Sequence, residues 1–224
     1  MDPYRFPSNT PPKDENELTS WLIEGLRSTN YFIEVKQANL SSAGLDEFCK
    51  KYYANLGVMG QQIDVVLTTK DKLMAIEVKY FKPEDKGWKK LYEGIGQVAL
   101  YLMLGFDKVA LLHFFHPDIH EEEALNCAEL TRELFEKDLV DGTLHVTNYI
   151  CAKFEKYEPL TGSMNYLLLR KINDWPPSLY DLDPYSLATW LVKIALHNTR
   201  LHPFYKELKR RRECLKVALK APIP

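Results

Sequence analysis

Between Gln61 and Tyr80 the sequence alternates twice about a polar turn. Period-2 alternation is the signature of strands whose two faces differ, so two strands joined near Lys70-Asp71 are expected. One face would carry Ile63, Val65, Leu67, Met74, Ile76, Val78 and Tyr80. The other would carry Gln62, Asp64, Val66, Thr68, Leu73, Ala75, Glu77 and Lys79. Closing the hairpin symmetrically about its turn sets Asp64 opposite Glu77 and Gln62 opposite Lys79. Opposed β-carbons on one face lie about 4.5–5.5 Å apart, so two carboxylates there repel unless a cation lies between them. An oxygen-only pair suits a hard divalent ion such as magnesium, which keeps several of its waters. The plain alternative is a half-buried hairpin with a solvated outer face.

The flanking sequence supplies helices for such a hairpin to pack against. Residues 1–13 are Pro-rich and polar and read as a flexible leader. A first helix is expected from about Asp14 to Ser28, with Asp14 as its N-cap and Glu17 completing a capping box. Leu18, Trp21, Leu22, Gly25 and Leu26 would form its buried stripe. Glu15 lies beside that stripe, where it serves either the helix dipole or a site on the sheet. Tyr31–Val35 reads as the first strand. Residues 38–60 form a long connection with a short helix about Asp46–Tyr53; its Lys50, Lys51, Tyr52 and Tyr53 could contact a substrate, although a plain surface excursion is the simpler reading.

A second helix follows from Gly87 to about Leu104, with Leu91, Ile95, Val98 and Leu102 turned inward. Lys90, Gly94, Gln97 and Tyr101 run in one line beside that stripe. Gly94 costs helix stability and leaves a gap where another backbone could approach. Val109–Phe115 is nearly continuous in apolar residues, as a strand buried on both faces should be.

In order and spacing these residues resemble the PD-(D/E)xK nucleases. Ile63-Asp64 followed by Glu77-Val78-Lys79 stands where that superfamily carries its Asp and its Glu/Asp-x-Lys, with Ile63 in place of the Pro. Gln97-Val98-Ala99-Leu100-Tyr101 is similar to the Gln-x-x-x-Tyr motif of the RecB-like branch, on the helix after the Glu-x-Lys strand. Glu15 sits where relatives carry a first-helix acid. The resemblance implies a restriction-endonuclease-like α/β core of helix, three strands, helix and strand, with a mixed central sheet flanked by helices, over about residues 14–116. It further implies a metal-dependent nuclease. Asp64, Glu77 and the carbonyl of Val78 would hold Mg2+, with Mn2+ an alternative, and Lys79 would orient water or stabilise charge on the phosphate. Gln97 and Tyr101 would position the strand, and Glu15 would join through water. DNA is favoured over RNA. The clustered cysteines of iron–sulfur relatives are missing, so no iron–sulfur cluster is expected. The rival reading is a non-catalytic nucleic-acid-binding or protein-interaction module on the same fold.

The remainder reads more plainly. His113 to His120 resembles a transition-metal cluster, but Asp118 is better read as an N-cap before an acidic first turn, Glu121–Glu123. That helix would reach about Val140, and Thr143–Phe154 and Asn165–Ile172 read as strands, closing the nuclease-like domain at 172. Residues 173–224 would form a C-terminal helical extension, with packing on the same domain left open. Asp183 begins one helix there, and His202-Pro203 begins a last one whose Arg210, Arg211 and Arg212 join Lys90, Gln97 and Tyr101 as candidate nucleic-acid contacts. The plain alternative is a solvated basic face. A net charge of −2 over 224 residues leaves any such contact to local patches. Cys49, Cys127, Cys151 and Cys214 are scattered and read as reduced thiols. Neither a signal peptide nor a membrane span is evident, so an intracellular, cytoplasmic protein is expected, with a homodimer left open.

Overall fold

The computed structural model describes residues 10–40, 62–70, 72–85, 89–137, 147–157, 166–171 and 214–219. Outside them lie most of the leader, the 38–60 connection beyond Leu40, the helix expected at Asp183 and the basic run Arg210–Arg212. The elements are α1 (Glu15–Ser28), β1 (Glu34–Asn39), β2 (Gln62–Thr68), β3 (Leu73–Phe81), α2 (Lys89–Leu104), β4 (Lys108–Phe115), α3 (Glu121–Lys137), β5 (Thr147–Tyr157) and β6 (Tyr166–Lys171). The strands form one six-stranded mixed sheet in the order β1-β2-β3-β4-β5-β6. The first two pairings and the last are antiparallel, whereas β3–β4 and β4–β5 are parallel. The chain is therefore α/β, with helices on both faces of a mixed sheet.

Two apolar layers flank the sheet. Leu18, Leu22, Ile23 and Leu26 of α1 pack on Val65, Leu67, Met74, Ile76, Val78 and Tyr80. Opposite, Leu91, Val98 and Tyr101 of α2 and Ala124 and Cys127 of α3 pack on Val66, Leu73, Ala75 and Leu111. A helical segment at 214–219 adds Cys214, Leu215 and Ala218 to this second layer, so that part of the C-terminal extension packs on the same domain.

Helix ends follow the sequence chemistry. The Asp14 side chain accepts from the Glu17 N–H at 2.9 Å, as an N-cap does. Asn30 takes a left-handed φ of 57° just past α1, and Gly105 does so with a φ of 100° just past α2. At the latter end the Phe106 N–H bonds the Tyr101 carbonyl at 3.3 Å, the six-to-one bond of a Schellman stop. At α3 the expectation shifts: the helix starts at Glu121, and Ala124 N–H bonds the His120 carbonyl, so Asp118 is not its cap. The acidic first turn, Glu121 to Glu123, stands as read.

Three further expectations change. The first strand lies at Glu34–Asn39, not Tyr31–Val35, and Ile33 is 72% exposed. Pairing with β2 sets the strand, and the local apolar run does not. Every residue of β3 is buried, so the hairpin has no solvated face: α1 covers one side and α2 the other. Ile63 packs with Ala38 and Val66 and not with Val65. The reason is a bulge: between Lys36↔Val66 and Ala38↔Ile63, β2 carries one residue more than β1. An extra residue on one strand turns its neighbours to the other face, and here it falls at Asp64-Val65.

Cys214 is disulfide-bonded, its partner lying outside the described residues, whereas Cys127 and Cys151 are free and buried. Scattered sequence spacing does not reveal which thiols the fold brings within bonding distance, so the all-reduced reading fails at Cys214. Among the described residues no helix is long and apolar enough to cross a membrane.

Candidate active site

The β2–β3 ladder runs from Thr68↔Leu73 to Val65↔Ile76, in the register expected, and then opens. Beyond Val65 the Asp64 carboxylate replaces the ladder: its Oδ2 accepts from the Val78 N–H at 2.9 Å. Gln62 is accordingly not set against Lys79 but pairs with Asn39 of β1. Asp64 and Glu77 are still neighbours, close enough for the Asp64 charge to push Glu77 up.

Burial is the main force on both acids. It pushes Asp64 up to about 6, with the Val78 N–H and Lys79 pulling back and Glu15 adding repulsion. Glu77 is wholly buried and is pushed up to about 8 by that burial and by Asp64, against Lys79 and Tyr101. Both acids are thus pushed up, so the pair as a whole is driven toward sharing a proton near neutrality. Two carboxylates that share one buried site do not readily ionise together.

Around the pair the chain has built a tight shell. Lys79 places its Nζ 2.6 Å from Glu77 Oε1 and 3.2 Å from Glu15 Oε1. The Tyr101 hydroxyl donates to Glu77 Oε2 at 2.5 Å. Glu15 bonds the Tyr80 N–H through its other oxygen, at 3.2 Å, so α1 is tied directly to β3. Glu17 meanwhile accepts from the Lys13 N–H at 2.6 Å, at the helix end. The two acids of α1 thus divide as the sequence suggested, one at the cap and one at the cluster. Lys79 itself is raised above the ordinary lysine value, its burial outweighed by Glu77 and Glu15.

Gly94 explains how a lysine fits here. A β-carbon at Gly94 would stand 3.1 Å from Lys79 Cγ and 3.0 Å from Leu111 Cδ1. The gap in α2 is filled by the Lys79 stem, not by an approaching backbone. Gln97, one turn on, lines an open cleft of about 370 Å³ together with Lys79, Glu93, Gly96 and Leu100. Lys90 departs from the expected contact surface. Its ammonium bonds the Tyr80 carbonyl at 2.8 Å and Asp85 at 2.6 Å, which ties the start of α2 to the end of β3. The fold thus gathers Glu15, Asp64, Glu77, Lys79 and Tyr101, sets Gln97 at the cleft beside them, and engages Lys90 elsewhere.

His113, read from sequence as part of an apolar strand and not as a metal ligand, is a buried neighbour of the site. It pairs with Lys79 in the β3–β4 register. Its Nδ1 lies 3.0 Å from the Tyr149 hydroxyl and 3.7 Å from Cys127 Sγ. Burial and then Lys79 drive it down to about 3, so it is a neutral core imidazole. Its apolar neighbours on β4 were the available signal. Among the described residues no group of three or more His, Cys, Asp or Glu is arranged to hold a metal.

The donors that remain are oxygens, and their chemistry can be tested against a magnesium ion. Glu77 Oε1 is buried, with the Lys79 ammonium 2.6 Å away. Three carboxylates (Glu15, Asp64, Glu77) against one ammonium (Lys79) leave a deficit of two positive charges when all are ionised. A divalent, oxygen-seeking ion that needs only one or two protein carboxylates fits both facts. Comparison with protein-family models and with curated proteins gives no match.

Proposed function

We propose that the protein is a magnesium-dependent nuclease of the PD-(D/E)xK type, built on a restriction-endonuclease-like core, with DNA the favoured substrate. The observation that carries the reading is the Asp64–Glu77 pair. Two acids from adjacent strands are drawn together beside a single lysine, at an electrostatic cost that Lys79 and proton uptake offset in part and a divalent cation would offset further. The element order from α1 to β4, helix, three strands, helix and strand, supports the reading because it is the order such a core would have.

Asp64, Glu77 and the Val78 carbonyl would hold the ion, and manganese suits the same donors. When bound, it would supply polarisation of a phosphodiester oxygen and a lowered pKa for attacking water. Lys79, freed from part of its attraction to Glu77, is placed to hold that water or to neutralise charge growing on the phosphate. Tyr101 remains a neutral donor, its hydroxyl raised far above the ordinary value by burial and by Glu77, and so fixes the Glu77 carboxylate. Glu15 holds the rest position of Lys79. Gln97 faces the open cleft, where a substrate strand can pass.

The test is cleavage of supercoiled and single-stranded DNA by purified protein, with and without magnesium. Asp64→Asn should remain folded and lose metal-dependent cutting. Wild-type DNA binding without any cutting, in magnesium or manganese, would instead favour the binding-module reading. The 2.6 Å Lys79–Glu77 contact, which supplies a counter-charge without metal, leaves room for that reading.

A further inference from the structure

A second concavity lies at the turn end of the β2–β3 hairpin, away from the carboxylates. It encloses about 350 Å³, with Val66, Leu73 and Leu219 among its lining. Val66 and Leu73 are buried, which gives it an apolar floor. Lys70, Lys72 and Lys216 line it as well, and Lys70 and Lys216 are exposed. Lys36 is the fourth lysine of the lining and lies 2.9 Å from Glu34, the carboxylate among the described residues there. The described lining thus sets four lysines around an apolar floor.

We propose that this pocket binds a nucleoside phosphate, free or at the end of a nucleic-acid strand. The volume falls within the range of small-ligand sites, which are mostly apolar with a few placed polar groups. A base would cover Val66, Leu73 and Leu219, and the phosphate would meet the lysines, whose N–H groups bond phosphate oxygens strongly. The Thr68 and Thr69 hydroxyls, also in the lining, suit a ribose or a phosphate oxygen. Positive charge gathers at this end of the sheet: nearby Lys108 is lowered by partial burial and then by Lys72, with Asp107 opposing. Asp107 is itself engaged, accepting from the Leu73 N–H at 2.7 Å.

Place in the fold gives the pocket a further meaning. Val66 and Leu73 belong to the same packed layer as Tyr101. Thr68 stands four residues beyond Asp64 on β2, roughly 13 Å at the rise of a strand. A strand end seated here would lie on the carboxylates' side of the sheet. The inference stands without the nuclease reading, because a free nucleotide would fill the same pocket.

Calorimetry on the full chain, at low salt and without metal, tests it with adenosine monophosphate, adenosine and inorganic phosphate. The monophosphate should bind at least about tenfold tighter than either fragment, since base and phosphate contribute together. Combined Lys72→Gln and Lys216→Gln should weaken it by about tenfold or more, and Asp64→Asn should leave it unchanged. Thermal unfolding of each variant confirms that the fold persists. Short oligonucleotides with and without a 5′-phosphate separate the sources. A phosphate-dependent gain that the double lysine variant abolishes marks a strand end, and monophosphate binding without that gain marks a free nucleotide. Inorganic phosphate binding as tightly as the monophosphate would reduce the pocket to a basic patch and overturn the proposal. Binding lost in Asp64→Asn but kept in the lysine variant would move the ligand to the carboxylates, and no binding at millimolar ligand would remove the site.

Discussion

Glu77 is the side chain on which pH acts most directly. Its folded-state pKa of about 8 lies above the ordinary 4.5, so the folded protein binds a proton that the unfolded chain releases earlier. Stability from this group is complete below about pH 4.5 and is lost as pH rises toward 8, with Asp64 adding a loss of the same sign between about 4 and 6. Glu77→Gln should therefore flatten the fall in melting temperature of the metal-free protein between pH 5 and 8; an unchanged slope would mean that another group titrates. Tyr101→Phe removes the donor to Glu77 Oε2 and leaves a buried oxygen unbonded, at a cost of about 1–3 kcal/mol by denaturant unfolding. Lys79 behaves differently, because its ammonium attracts the same Glu77 oxygen that a metal would take. In Lys79→Met, magnesium affinity by calorimetry should hold or rise while cleavage falls by roughly 10²-fold or more. A parallel loss of both would mean that Lys79 builds the metal site.

At the scale of the element, α2 and the bulge in β2 decide whether these side chains meet. Gly94→Ala gains about 1 kcal/mol of helix propensity, yet its new methyl presses on Lys79 Cγ and Leu111 Cδ1. The expected result is a folded protein with displaced Lys79 and cleavage reduced by up to roughly a hundredfold. Gly96→Ala meets nothing within 4 Å and should raise stability by roughly 0.5–1 kcal/mol without moving Lys79; equal activity losses in the two variants would put the effect in the helix backbone. The hairpin register from Thr68↔Leu73 to Val65↔Ile76 was legible because alternation and a polar turn fix it, whereas the departure of Asp64 from the ladder to the Val78 N–H was not. The face of Ile63 was not, because a bulge depends on how β1 lies against β2, and β1 is far away in sequence. Gly94 announced itself as a gap, but only the fold shows that a lysine from β3 fills it. The same limit applies at Lys90: helical spacing aligned it with Gln97, and the β3–α2 connection then captured its ammonium.

Across the whole molecule, metal and proton should be linked. Because the carboxylate pair holds a proton near neutrality, magnesium binding should expel about one proton at pH 7 and stabilise the fold more strongly at pH 8 than at pH 6. Calorimetry in two buffers of different ionisation enthalpy measures the first, and melting temperature against magnesium the second. Binding without proton release would show the pair already ionised. The overall α/β order was readable from helical and strand periodicities, whereas the Cys214 disulfide and the docking of residues 214–219 depend on contacts that no local pattern records. One consequence of a fully buried β3 concerns change over generations. Glu77 and Lys79 sit in the strand that α1, α2, β2 and β4 all touch. A substitution that loosened the core would also blunt the chemistry, and one that retuned the chemistry would strain the core. Under the proposed function, variation in recognition would be channelled to the cleft around Gln97 and to the exposed Lys70 of the hairpin tip, where a new side chain would disturb neither.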